Sequence, residues 1–372
     1  MTFCIITHVP HIYQDNSYFA YSPYVREMNI WSKHVDSILI VAPLSSKIYT
    51  AIDSPYSHQN IDFREVSKFN FLTIQATLLS FFKLPIIFFS IFKAMKAADH
   101  IHLRCPGNIG LLGCIIQVFF PNKFKTAKYA GNWDLKSKQP LSYRFQKWIL
   151  SNTFLTRNMQ VLVYGDWENS TKNIKPFFTA SYFEKDKVEV VTRELSGKIS
   201  FLFVGTLSNG KQPLYAIQLI EKLHKNGNDV QLSLYGEGSE RVKIERYISE
   251  KKLEKIIFLK GNQNQETIKK AYSDNHFVVL PSFSEGWPKV VAEGMFWGCL
   301  PIASSVSCLP SMLENGKRGI LLDMKLQDDV ENIESILKDT TLYKHKVNNA
   351  IIWSRKYTLD VFEDEIKLLL QS

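Results

Sequence analysis

Apolar runs of strand length alternate with longer stretches of helical periodicity along most of this chain. That alternation restricts the fold to a parallel α/β architecture. In the first half the candidate strands are 2–7, 37–42, 99–103, 125–130 and 160–164. In the second half they are 199–205, 230–235, 255–259, 277–280 and 300–303. Between them, 212–226 reads as a helix: Leu214, Ile217, Leu219, Ile220 and Leu223 mark one apolar face, and Asn226-Gly227-Asn228 stops it. Two such series within 372 residues predict two doubly wound domains, each able to bury its own core. Segment 168–196 has no clear strand, is rich in Lys and Glu, and is expected to link them.

Charge separates the halves. Residues 1–190 carry 21 Lys and Arg against 13 Asp and Glu, and the remainder 24 against 23, so nearly all of the +9 sits in the first half. A one-sided basic domain suits an acidic partner or is simply a soluble basic surface. The segment 71–92 is the most apolar, with Lys83 and Pro85 inside it and Lys93 and Lys96 after it. The apolar residues clear of Lys83 are too few for a span of about 20. The segment is either a helix buried on the first sheet or an interfacial helix dipping Phe81, Phe82, Phe88 and Phe89 into a membrane. The five cysteines are scattered, with no Cys-x-x-Cys pair, and are expected to be reduced thiols in a cytoplasmic protein. Met1-Thr2-Phe3-Cys4 runs directly into a strand and does not resemble a signal peptide.

The most informative chemistry follows the run Phe277–Leu280. Pro281-Ser282-Phe283-Ser284-Glu285-Gly286-Trp287 makes a turn, and Pro288 suits the first turn of the helix that carries Lys289 and Glu293. N–H groups at such a helix start favour an anion such as a diphosphate. Carboxylates accept hydrogen bonds from sugar and ribose hydroxyls. One turn therefore offers partners to both halves of a nucleotide-sugar.

Glu285 and Glu293, with seven residues between, resemble the E-x7-E signature of retaining glycosyltransferases of family 4. The following Gly298-Cys299-Leu300-Pro301-Ile302-Ala303-Ser304 and Gly316-Lys317-Arg318-Gly319-Ile320-Leu321 resemble it too. The resemblance covers roughly 200–325 well; the first half matches in architecture only. It implies a GT-B fold: two Rossmann-like doubly wound domains facing a cleft. The acceptor domain is expected at 1–190 and the nucleotide-sugar domain at 191–354. A C-terminal helix, 355–372, is expected to return to the first domain.

Other motifs follow the same resemblance. Gly205-Thr206-Leu207-Ser208-Asn209-Gly210-Lys211 is similar to the family's first donor loop, where an Arg and a Lys hold the diphosphate. Thr206 stands at the Arg position, so the cation carried over is Lys211. Gly236 and Gly238 resemble the turn that passes the nucleotide, and Asn262 follows the strand whose loop holds the base. On the acceptor side the candidates are His11 after the first strand, His102 and Arg104 on the third, and Asn132 and Asp134 after the fourth. Either Arg104 holds a phosphate or acceptor hydroxyl, or it makes a structural salt bridge. His8 and His11 lack a third ligand nearby, so no metal site is expected.

The reaction implied is transfer of a hexosyl group from a UDP or GDP sugar to a hydroxyl of a glycan or lipid-linked acceptor, with retention and without metal or other cofactor. Glu285 is expected to hold the donor sugar, Glu293 the ribose, and Lys211 with the N–H groups of Gly286 to Lys289 the leaving diphosphate. The setting implied is cell-surface polysaccharide synthesis at the inner membrane face, with no nucleic-acid partner. A nucleotide-sugar epimerase of the same fold and a non-catalytic sugar-binding protein are the alternatives.

Overall fold

The computed structural model describes residues 1–50, 52–67, 74–134 and 136–371, with the backbone alone for 74–82. The chain divides into two compact units, Met1–Phe177 with the chain from Phe362 onward, and Phe178–Val361.

The first unit contains β1 (Thr2–Ile6), β2 (Ile12–Gln14), β3 (Ser17–Tyr21), α1 (Ser22–Ser32), β4 (Ser37–Ala42), β5 (Asp53–Pro55) and β6 (Ile61–Glu65). It continues with α2 (Ile74–Ala97), β7 (His100–Cys105), α3 (Asn108–Ile116), β8 (Phe124–Tyr129), α4 (Leu141–Ser151), β9 (Met159–Tyr164) and β10 (Ile174–Phe177). Seven strands form one parallel sheet in the order β10-β9-β8-β7-β1-β4-β6. Alternate side chains of each strand face opposite helical layers. Cys4, Ile6, Ile101 and Leu103 pack with Ile91 and Met95 of α2, Ile109 of α3 and Ile149 of α4. On the other face Phe3 stacks on Trp31 of α1. Strands β2, β3 and β5 form a small antiparallel sheet beside it.

The second unit contains β11 (Ile199–Val204), α5 (Pro213–Lys225), β12 (Val230–Tyr235), α6 (Arg241–Glu250), β13 (Ile257–Gly261), α7 (Gln265–Asp274) and β14 (Phe277–Leu280). It continues with α8 (Lys289–Phe296), β15 (Leu300–Ser304), α9 (Leu309–Met312), β16 (Ile320–Leu322), α10 (Leu326–Leu337) and α11 (Thr340–Ser354). Its sheet is parallel throughout, in the order β13-β12-β11-β14-β15-β16.

Every strand expected from an apolar run is present, displaced by two residues at most. The expected linker is not one. Residues 174–177 are β10, an edge strand that tolerates Pro176 because its outer side needs no ladder hydrogen bond. From Phe178 the chain belongs to the second unit, so the boundary lies before 190. The reason is in the contacts: Tyr182 packs on Phe296 and Trp297, and the Arg193 guanidinium donates to the carbonyls of Tyr272 and Gly298. The last helix, α12 (Leu359–Gln371), joins the first unit from Phe362 rather than from 355. There Phe362 meets Phe177, Glu363 pairs with Lys33 and Glu365 with Lys175.

Phe71, Leu72 and Thr73 of the apolar segment, and the side chains of Phe81 and Phe82, lie outside what is described. The described part of α2 serves both readings of that segment: Ile87 and Ile91 are buried on the sheet, while Ile86 and Phe89 are exposed. Among the described residues no helix is long and apolar enough to cross a membrane. All five cysteines are free and buried.

Candidate active site

Ligands of open parallel sheets gather where strand order reverses, at the carboxyl ends of the strands. In the second unit that point lies between β11 and β14, and both sequence motifs leave the sheet there. After β11, the turn Asn209–Lys211 and Gln212 at φ 53° redirect the chain, and Pro213 opens α5. After β14, the loop runs to Pro288, which caps α8. The Phe283 N–H donates to the Gly210 carbonyl at 2.9 Å and ties the loops together. Lys211 Nζ then lies 2.5 Å from Glu285 Oε1. Glu285 is 7% exposed, so its carboxylate is nearly dry and the ammonium is its counter-charge. The Glu285 N–H donates to Ser307 Oγ at 3.1 Å, and the Cys308 thiol donates to the Gly286 carbonyl at 3.2 Å. Ser307 and Cys308 brace the loop from the turn after β15; nothing in their local sequence marks them.

Glu293 sits on α8 and accepts from Ser181 Oγ at 2.5 Å and from the Tyr272 hydroxyl at 3.0 Å. Burial, and then the Glu293 charge, push the Tyr272 hydroxyl well above its ordinary pKa, so it stays a donor. The cavity beside Glu293, lined by Ser181, Lys289 and Tyr357 among others, measures about 10 Å³. That is room for about one water. A ribose at Glu293 must therefore displace Ser181, which lies in segment 168–196, the expected linker.

The glycines of these loops permit a close packing of loop on loop. A Cβ on Gly236 would lie 1.9 Å from the Gly205 carbonyl oxygen, and one on Gly238 would lie 2.3 Å from that of Leu207. The close approach they permit is of loop to loop. Leu207 N–H donates to the Glu237 carbonyl and Glu240 N–H to that of Leu207. Thr206 and Asn262 are exposed in these loops. Trp287 packs against Trp353 and Tyr357 in the wall behind the motif. Pro288 has no N–H to give, and the Lys289 N–H turns back to the Trp287 carbonyl at 2.9 Å. The anion-binding capacity expected of that stretch is thus reduced.

Each acceptor-side candidate is engaged by neighbours within the first unit. His11 is buried, with Nδ1 2.9 Å from the Val9 carbonyl and Nε2 2.8 Å from the Tyr56 hydroxyl. His102 is buried beside Trp31 and hydrogen-bonds Thr126, and burial holds its pKa well below the usual range. Arg104 makes the structural salt bridge: its guanidinium grips Glu27 through two bonds of 2.7 and 3.2 Å. Lys128 Nζ reaches the same carboxylate at 3.0 Å. Asn132 accepts from the Asp134 N–H, and Asp134 from the Lys136 N–H, closing a local turn. Glu27 lies on the apolar stripe Tyr24, Glu27, Met28, Trp31 of α1, the one sequence signal that its carboxylate needs a buried partner.

Residues 184–353 match the family model of glycosyl transferases group 1. The alpha-D-kanosaminyltransferase of Streptomyces kanamyceticus is 27% identical over 167 residues, 44% of this chain and 43% of its own length. An alpha-1,4-N-acetyl-D-galactosaminyltransferase of Campylobacter jejuni, named for a diNAcBac-PP-undecaprenol acceptor, is 26% identical over 176 residues, 46% of this chain and 47% of its own. The chain spans less than half the length of these curated relatives. Among solved structures, the lipopolysaccharide outer core galactosyltransferase WaaB aligns over 100% of this chain and 99% of its own, with a TM-score of 0.70 and 17% identity. Anabaena Alr3699/HepE, in complex with UDP and glucose, aligns over 100% of both, with a TM-score of 0.69 and 13% identity. At these identities the likeness is of fold, and the fold is GT-B.

Proposed function

We propose that this chain, whose second unit is a domain of the glycosyl transferases group 1, is a retaining glycosyltransferase using a nucleotide-sugar donor. The observation that carries the reading is the Lys211–Glu285 pair at the reversal point of the second sheet. Departure of the diphosphate builds negative charge, and Lys211 is placed to meet it without a metal. Glu285 then keeps its acceptor oxygens for donor-sugar hydroxyls. Glu293 takes the ribose once Ser181 gives way. No side chain is assigned as a nucleophile, because delivery of the acceptor on the leaving-group face needs none. The α linkages in the relatives' names support retention from an α-linked donor. The undecaprenol acceptor named for one of them supports a glycan or lipid-linked acceptor. We further place that acceptor in cell-surface polysaccharide synthesis at the cytoplasmic side of the membrane.

Thermal unfolding with UDP-, GDP- and ADP-sugars tests the donor. A donor at 100 times its Kd stabilises by about 2.7 kcal/mol, which raises Tm by roughly 5–10 °C for a unit of this size. If no nucleotide-sugar or nucleoside diphosphate raises Tm, the donor reading is lost. Glu293→Ala is expected to weaken donor binding by about 1–3 kcal/mol, the worth of a charged hydrogen bond. Unchanged affinity in a folded variant removes Glu293 from the site.

A further inference from the structure

Helix α3 packs between α2 and α4, so the three cover one face of the first sheet as a single layer. The outer side of that layer is unusual. Leu141, Phe145 and Trp148 stand at i, i+4 and i+7 on α4, all exposed, and the rings of Phe145 and Trp148 stack 5.7 Å apart. The opposite side of α4 already buries Gln146, Ile149 and Leu150, so this is a second stripe, pointing away from the core. On α2, Ile86 is 73% and Phe89 61% exposed, and Phe119, just beyond α3, lies against Phe88 and Phe92. Monomeric proteins seldom leave so many large apolar side chains in water on one surface.

The charge of the same stretch has one sign. From Lys83 to Arg157 the sequence holds twelve lysines and arginines against two aspartates and no glutamate. Lys83, Lys93, Lys96, Arg144 and Arg157 are exposed among the aromatic side chains. At the end of the layer, by the first residues of β8 and β9, lies a cavity of about 490 Å³. Lys125, Arg157 and Lys172 line it with Thr156 and Asn158, and no carboxylate is among its lining residues. The Arg157 guanidinium lies 4.8 Å from the centre of the exposed Phe154 ring. Interface cores between proteins are depleted of charge. Large apolar side chains interleaved with cations of one sign are instead what an anionic bilayer surface rewards.

We infer that the outer side of the α2–α3–α4 layer docks on an anionic lipid surface, with the aromatic side chains at headgroup depth and the basic cavity receiving a lipid phosphate. This deepens the reading of a membrane-borne acceptor, but it rests on the first unit alone and stands apart from the donor chemistry.

The test is co-sedimentation of the full chain with vesicles of phosphatidylcholine alone, and of equal parts phosphatidylcholine and phosphatidylglycerol. Binding is expected to the anionic vesicles only and to fade at high salt. Phe145→Ser with Trp148→Ser, and separately Arg144→Glu with Arg157→Glu, are each expected to lower partitioning about ten-fold or more. All four positions are exposed, so Tm and any rise in Tm caused by nucleotide-sugars should match wild type in both variants. Loss of vesicle binding with the nucleotide response intact supports the docking surface. Four results overturn it: no binding of wild type at low salt, variants that bind like wild type, self-association through Trp148 without vesicle binding, or binding to single-stranded nucleic acid in place of vesicles. A missing nucleotide response with vesicle binding preserved counts against the donor reading alone.

Discussion

Lys211→Ala is expected to lower kcat by about 10²–10³-fold, the usual loss when one preorganised stabiliser of transition-state charge is removed. The structure gives a reason for expecting more loss in turnover than in donor affinity. In the free protein Lys211 is already engaged, 2.5 Å from a carboxylate that is almost entirely out of water. Part of its attraction for an incoming diphosphate is therefore spent on Glu285. As the glycosyl bond breaks, charge on the diphosphate grows while that on Glu285 does not, so the balance tips toward the leaving group. The pair also has a structural side, because Lys211→Ala leaves Glu285 without its cation. A double-mutant cycle with Glu285→Gln separates the effects. Stability should be partly recovered in the double variant, and turnover should not. Wild-type turnover in Lys211→Ala would falsify the assignment and leave another cation to meet the charge.

The largest expected effect on stability lies in the first unit. Glu27→Gln should cost about 3–5 kcal/mol, because it leaves Arg104 and Lys128 as buried cations with no counter-charge. Against a typical total of 5–15 kcal/mol this threatens folding at physiological temperature. Urea unfolding at neutral pH measures it, and a loss below about 0.5 kcal/mol would remove the cluster from the core's energetics. The same cluster sets a pH dependence. Burial alone would raise the Glu27 pKa, but the charges of Arg104 and Lys128 and their hydrogen bonds outweigh it and hold the carboxyl far below 4.5. A carboxylate with a depressed folded pKa contributes fully above its unfolded value and loses that contribution as pH falls toward the folded one. Wild type should therefore weaken progressively below about pH 4.5, and Glu27→Gln should lose less over the same range.

The elements that were easy to read are those whose local pattern and tertiary position agree. Strands β1, β4, β11 and β14 are buried on both faces and read as continuous apolar runs. Strand β6, Ile-Asp-Phe-Arg-Glu, carries charge because it lies at a sheet edge, and β10 contains a proline for the same reason. Strand β6 alternates apolar and charged residues over only four positions, too short a run to stand out from a loop, and β10 is broken by its proline. The turn between β14 and α8 was legible because Pro281, Gly286 and Pro288 punctuate it.

Two parallel α/β units, the loop that carries Glu285 and the helix that presents Glu293 are all legible in the local sequence. These are short-range matters of periodicity, turn chemistry and spacing. Which groups meet depends on packing between distant parts of the chain. Lys211 and Glu285 are 74 residues apart, Ser181 and Glu293 112, and Glu27 and Arg104 77. Each pair forms because parallel strands from distant parts of the chain end side by side, or because a buried charge requires whatever partner the packing brings to it. The same packing turned His11 and His102 from candidate acceptor contacts into core residues, since burial disfavours the charged imidazole. It also left the α4 stripe outward, which helical periodicity alone could not tell from a second buried face.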